Sequence, residues 1–254
     1  MRPTILRLDS TDSTNLEAMR QAKRGAPEGL CIVAREQTKG RGRHERVWNS
    51  PRDAGLYFSI VLRPKSEVKA WSLITLMAAV AVVDALLDAC GLQTDIKWPN
   101  DIVISERKLG GILAETVETD QGLACVLGLG INLTEHAFPP HLQDRATSIA
   151  MENGLAPEPE QLLRKLLEHL SRRYAELTED QGPATTIRDW TAACSFANGK
   201  RVRVNTGTEV FDGTTRGVES DGALRVETES GEIKVVRAGD VQSIRSVAEE
   251  QKVP

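Results

Sequence analysis

The run Leu73 to Val83 (LITLMAAVAVV) restricts the possible folds of this chain more than any other feature. It is closed by Asp84 and Asp88, which leaves it far short of the roughly 20 apolar residues that cross a bilayer, so it reads as a core helix. The helical pattern extends from about Glu67 to Cys90 and stops at Gly91, a residue suited to the left-handed position that follows many helices. A segment this apolar needs cover, and the sequence on either side offers strands for it to back.

Leu30 to Ala34 and Leu56 to Leu62 are short runs of β-favouring residues. Asp95 to Trp98, Ile102 to Ser105, Gly111 to Glu118 and Leu123 to Leu133 read as further strands, with Pro99-Asn100 and Glu106-Arg107 marking turns. Leu16 to Lys23 fits a helix capped by Ser13 or Thr14 and stopped by Gly25 and Pro27. Pro157 to Leu177 is amphipathic, with Leu162, Leu163, Leu166, Leu167 and Leu170 on its apolar side. These elements predict an α+β domain over residues 1–196, a mixed sheet with packed helices.

After Asn198 the character changes. Arg201 to Val204, Val210 to Phe211, Thr214 to Val218, Leu224 to Glu227 and Ile233 to Val236 are short strand candidates. Asn205-Thr206-Gly207, Asp212-Gly213, Asp221-Gly222 and Ser230-Gly231 separate them as hairpin turns would. A small β-barrel over 197–247 and a frayed tail over 248–254 are expected.

With 32 Lys plus Arg against 36 Asp plus Glu, no global basic field exists to hold nucleic acid or an anionic membrane, and any anion site must be local. The start, MRPTILRLDS, has no secretory, transit or lipidation signal, so a cytoplasmic protein is expected. Cys31, Cys90, Cys125 and Cys194 are far apart and lack metal-ligand spacing, and they read as reduced, mostly buried thiols.

The local anion site is Gln37 to Pro51, QTKGRGRHERVWNSP. Gly40 and Gly42 let backbone approach a ligand closely, while Arg41, Arg43 and Arg46 bring guanidinium groups to the same loop. It lacks the GK[ST] ending of a P-loop, and GLGIN at 128–132 lacks the GxGxxG pattern of a dinucleotide site. Asp12 to Asn15 (DSTN), Lys97 to Asp101 (KWPND), Lys108 to Ile112 (KLGGI) and Gly128 to Leu133 (GLGINL) complete the set. Together, in this order, they resemble the catalytic domain of biotin protein ligases.

That resemblance implies a core similar to class II aminoacyl-tRNA synthetases, followed by an SH3-like barrel. It also implies ATP, with Mg²⁺, activating biotin to biotinyl-5′-adenylate, and transfer of biotin to a lysine of a carrier protein or domain of a biotin-dependent carboxylase. Lys108 and Arg43 are the implied catalytic residues. Ser13, Thr14, Asn15, Gln37, Gly40, Arg41, Gly42, Arg43, Lys108 and Gly111 would bind biotin. Arg41, Arg43, Trp48, Lys97, Asn100 and Asn132 would meet ATP or the adenylate. No dedicated metal cage is visible, so magnesium would travel on the ATP phosphates.

Each of these residues also has a plainer reading: a solvated lysine at Lys108, a mobile basic loop at Arg41 and Arg43, a core tryptophan at Trp48, a turn residue at Asp101. His44-Glu45 stands where many relatives have a basic residue followed by glycine. Because the motifs begin near the N-terminus, the helix-turn-helix of repressor relatives is not expected, nor is DNA or membrane binding; homodimerisation is left open. A lipoate ligase and a catalytically silent biotin-binding module are the competing functions.

Overall fold

The computed structural model describes residues 1–65 and 71–244. The helix start expected at Glu67 and the tail at 248–254 lie outside these residues. The chain forms β1 (Thr4–Leu8), α1 (Thr14–Lys23), β2 (Leu30–Ala34), β3 (Gly55–Leu62), α2 (Ser72–Cys90), β4 (Asp95–Lys97), β5 (Asp101–Ile104), β6 (Arg107–Thr119) and β7 (Gly122–Asn132). Three helices follow, α3 (Ile149–Asn153), α4 (Pro159–Leu177) and α5 (Gly182–Ala193), and then β8 (Asn198–Asn205), β9 (Val210–Val218), β10 (Leu224–Thr228), β11 (Ile233–Val236) and β12 (Asp240–Ser243).

The first seven strands make one mixed sheet in the order β1-β2-β3-β7-β6-β5-β4, parallel between β1 and β2 and antiparallel elsewhere. Helix α1 covers one face, where Ala18 and Ala22 pack on Ile32, Val61, Val117, Ala124 and Val126. Helices α2, α4 and α5 join the main core on the other face, with Phe58, Ile60, Leu127 and Leu129 from the sheet. Ser72–Cys90 is longer than the apolar run read from sequence, and by length and composition alone such a helix could cross a membrane. Here eleven of its residues are buried within the protein, and its acids face cations of α4: Asp84 meets Arg172 and Arg173, and Asp88 meets Lys165. Gly91 ends it at φ 63°, as expected, with its N–H donated to the Leu87 carbonyl.

The second sheet is antiparallel, ordered β11-β10-β9-β8-β12, so that the last strand returns to lie beside the first in SH3-like fashion. Asp212-Gly213 is not a turn: it lies inside the continuous β9. A Cβ on Gly213 would sit 2.5 Å from the Glu227 carbonyl oxygen, so the glycine serves close strand approach. Likewise the β5–β6 turn is Ser105-Glu106, both at positive φ, and Arg107 already belongs to β6. Strands β1 and β12 and helices α3 and α5 have no counterpart in the sequence reading, because short edge strands and short helices carry little periodic signal.

The two sheets share one apolar core, into which Phe196, Val202, Leu224 and Val241 also pack. The hairpin tip Asp221-Gly222 docks on the first sheet's side: the Trp98 indole N–H donates to the Gly222 carbonyl at 3.1 Å, and the Ser72 hydroxyl donates to the Asp221 carbonyl at 2.6 Å.

Candidate active site

Strand alternation builds the floor of the site. On β7, Leu127, Leu129 and Ile131 point to the main core, so Gly128 and Gly130 fall on the opposite face. Gly111 of β6 lies directly across from Gly130. A Cβ on Gly128 would come 1.9 Å from Asn15 Oδ1, and one on Gly130 would come 2.5 Å from Trp48 Nε1. One on Gly111 would touch Trp48 at 3.2 Å and Lys108 Cε at 3.3 Å. Only bare backbone allows these side chains to lie on the sheet.

The start of α1 forms one wall. Ser13 holds the N-cap position in extended conformation, but its side chain makes no capping hydrogen bond. Thr14 is already helical, so neither residue caps as expected from sequence. Gln37 takes that role from a distance, its Oε1 accepting the Thr14 N–H at 2.8 Å and the Thr14 hydroxyl at 3.1 Å. Its amide donates to Ser50 Oγ at 2.8 Å, tying the loop's exit to the helix start. Asp12 accepts the Ser13 N–H and two bonds from Arg20, and the Arg20 guanidinium holds its carboxyl well below the usual carboxylate range.

Asn15 is buried and anchored on both sides. Its amide donates to Glu115 at 2.9 Å and to the Leu113 carbonyl at 3.3 Å, while its Oδ1 lies 2.5 Å from the fully buried Ser59 hydroxyl. Glu115 also pairs with Arg41 at 3.0 Å. Ser59 and Glu115 were not legible as site residues. The available signals were a single serine inside an apolar strand, and a carboxylate in alternation with Gly111 and Leu113.

The loop between β2 and β3 folds back on itself: the Trp48 N–H donates to the Gly40 carbonyl at 2.9 Å and the Gly42 N–H to the Arg46 carbonyl at 2.7 Å. A Cβ on Gly40 would lie 2.3 Å from the Trp48 carbonyl oxygen, which explains glycine there. His44 and Glu45 sit at φ 52° and 60°, left-handed positions that cost a non-glycine residue roughly 1 to 2 kcal/mol each. Trp48 is neither a core residue nor a surface one. It lies half-buried across the glycine floor, its indole N–H without a partner among the described residues and its ring 5.2 Å from Lys108 Nζ.

Lys108 is in β6, not in a polar turn. Its ammonium pairs with Asp101 at 2.6 Å. Its backbone is clasped by the segment before α3, with the Lys108 N–H donated to the Arg145 carbonyl and the Thr147 N–H donated to the Lys108 carbonyl. Asn132, buried beneath, donates to the carbonyls of Thr147 at 2.9 Å and Lys108 at 3.3 Å. Asn100 donates to the Ile112 carbonyl at 2.7 Å. Each asparagine thus donates to a carbonyl of β6, and Asn132 also to the segment before α3. Lys97 turns toward Phe196, 5.8 Å from its ring, and burial pushes its pKa down.

Arg43 is set apart. It is half-buried, burial lowers its pKa, and no hydrogen bond or ion pair meets its guanidinium among the described residues. It lines a cavity of about 340 Å³ together with Trp98, Asn100 and Leu113 and the hairpin tip Asp221 to Ala223. The structure therefore gathers Ser13, Thr14, Asn15, Gln37, Gly40, Arg41, Trp48, Lys108 and Gly111 on the glycine-floored face. Arg43 and Asn100 stand at the adjoining cavity, Gly42 in the loop that connects them, and Lys97 and Asn132 behind Lys108. Among the described residues no group of three or more His, Cys, Asp or Glu side chains is arranged to hold a metal ion.

Residues 5–132 match the biotin/lipoate A/B protein ligase family, and residues 198–242 match the biotin protein ligase C-terminal domain. The chain is 37% identical over 239 residues to the bifunctional ligase/repressor BirA of Bacillus spizizenii, covering 92% of this chain and 72% of that protein. It is 35% identical over 241 residues to the biotin–[acetyl-CoA-carboxylase] ligase of Paracoccus denitrificans, covering 92% and 98%. The biotin protein ligase of Aquifex aeolicus solved with biotin and ATP superposes with a TM-score of 0.83 at 28% identity, over 96% of this chain and 99% of that one. With both domain models matched in order and near-complete relatives on either side, the chain belongs to the biotin protein ligase family.

Proposed function

We propose that this protein activates biotin with ATP and transfers it to a carrier lysine, using the residues gathered on the glycine-floored face and at the adjoining cavity. In the first step a biotin carboxylate oxygen attacks the α-phosphorus of ATP, the α–β phosphoanhydride bond breaks, and pyrophosphate leaves. In the second the lysine amine attacks the acyl carbon, AMP leaves, and the amine loses a proton. Both steps join or release anions, so positioned cations matter more than a protein nucleophile.

The observation that carries the assignment of roles is Arg43, a half-buried guanidinium that no carboxylate meets in a hydrogen bond or ion pair among the described residues, Asp240 and Asp101 acting on it only from a distance. A buried charge is costly unless paired, and a phosphate or adenylate supplies the missing partner. Lys108 would leave Asp101 to bridge carboxylate and phosphate. Arg41 is oriented by Glu115, and the Trp48 ring, already over backbone glycines, would face the nucleotide. Ser13, Thr14 and Gln37 supply donors and acceptors for a polar ring, which lipoate does not have. Mg²⁺ would be bound through the triphosphate and water. The carrier would be a domain of a biotin-dependent carboxylase.

The test is ATP–pyrophosphate exchange with Mg²⁺. Exchange that requires biotin is expected. Exchange driven equally by lipoate, or none with biotin, would overturn the reading.

A further inference from the structure

We propose that Asp240 is a positioning residue that latches the ligand loop: its carboxylate, carried on β12, holds Arg46 and keeps the segment from Gly40 to Trp48 folded over the site. The inference rests on the function proposed above.

The loop has reason to spring open. Two consecutive non-glycine residues, His44 and Glu45, are left-handed at its tip, a conformation that must be held by contacts elsewhere. Inside the loop three backbone bonds do this, from Trp48 to Gly40, from Gly42 to Arg46 and from Arg46 to Arg43. Arg41 ties the near side to Glu115 of β6. On the far side Arg46, the residue immediately after the strained pair, forms an ion pair with Asp240.

Asp240 is a fixed anchor. Strand β12 is paired with β8 from Asp240 to Ser243. The second sheet is seated on the first by Trp98 to Gly222, by Lys200 to Glu106 at 3.0 Å and by Ser243 to Glu106 at 2.5 Å. The Asp240 charge also acts on Arg43, so one carboxylate on the second sheet steadies both arginines that follow Gly42. This gives the C-terminal sheet, through Asp240, a part in retaining the reactive adenylate. The Arg46 and Asp240 side chains are 61% and 37% exposed, so solvent screening limits the effect of the pair to about fivefold in the closing equilibrium.

The experiment uses the full chain and the variants Asp240→Asn, Arg46→Asp and the double reversal Arg46→Asp with Asp240→Arg. Hydrogen exchange of the amides at 40–48 is followed without ligand, and adenylate escape is followed after biotin and ATP. Each single variant should speed both by about two- to fivefold, and the double reversal should return both toward the parent. Unchanged loop exchange in Asp240→Asn, or a double reversal as fast as the singles, would overturn the latch. So would acceleration spread equally over β3 and β7, which marks general loosening. Failure of the functional reading shows separately, as a parent protein without biotin-dependent pyrophosphate exchange.

Discussion

On one face of β7, Cys125, Leu127, Leu129 and Ile131 enter the main core; on the other, Ala124 and Val126 pack under α1 and then Gly128 and Gly130 expose bare backbone to Asn15 and Trp48. The same strand therefore serves stability on one side and ligand space on the other. Alternation makes this separation possible, since residues two apart share a face and neighbours do not. It also means that substitutions one position apart should fail in different ways.

The largest effect expected on the packed side is from Leu127→Ala. Leu127 is 1% exposed, and removing a buried leucine side chain costs about 2 to 5 kcal/mol. Denaturant unfolding should show that loss, while the fraction still folded turns over biotin normally; a loss below 1 kcal/mol would mean that this face is not what stabilises the sheet. On the ligand side the counterpart is Lys108→Ala, which should keep the fold and slow adenylate formation by about 100- to 1000-fold, the scale for removing one charge-stabilising donor. Unchanged single-turnover adenylation at saturating ATP and biotin would remove Lys108 from the mechanism.

Arg43→Gly should act next most strongly, and on escape more than on chemistry. Losing a charge-assisted contact of roughly 1.5 to 3 kcal/mol would raise the rate of adenylate release by about ten- to a hundredfold if the whole loss appears in dissociation. Leaked adenylate should then label lysines of bystander proteins, readable on an avidin blot. The smallest effect sharpens the comparison most. Gly128→Ala places a methyl group where Asn15 Oδ1 now lies, and Asn15 must give up its contact with Ser59 or shift with helix α1, at a cost of about 1 to 3 kcal/mol. Biotin affinity should weaken more than thermal stability. The reverse order would show that Asn15 is part of the core and not of the site.

Much of the molecule was legible. The glycine-arginine loop, KWPND, KLGGI and GLGINL are local motifs whose order identifies the family, and β2, β3, β7, α4 and the end of α2 lie close to where periodicity and turn residues put them. The amphipathic helix is the clearest case: Leu162, Leu163, Leu166, Leu167 and Leu170 are all buried in α4. Less legible were features that depend on a distant partner. Asp212-Gly213 has the composition of a turn, yet the approach of Glu227 from β10 keeps it in strand. Ser13 has the composition of a cap, yet Gln37, more than twenty residues away, accepts the hydrogen bond that matters.

What the sequence by itself determined is the set of residue types and their order: glycines on one parity of β7, leucines on the other, arginines between glycines in one loop, and a lysine ahead of two glycines. Local chemistry and strand period suffice for that, because they act over a few residues. Only the tertiary structure decided which cations are paired and which are free to meet an anion. Arg41 is bound to Glu115 and Lys108 to Asp101, while Arg43 is left half-buried with no partner among the described residues. It also decided that Arg46 reaches an aspartate nearly two hundred residues along the chain. Charge acts through space and burial, and neither quantity is written in the spacing of residues along a chain.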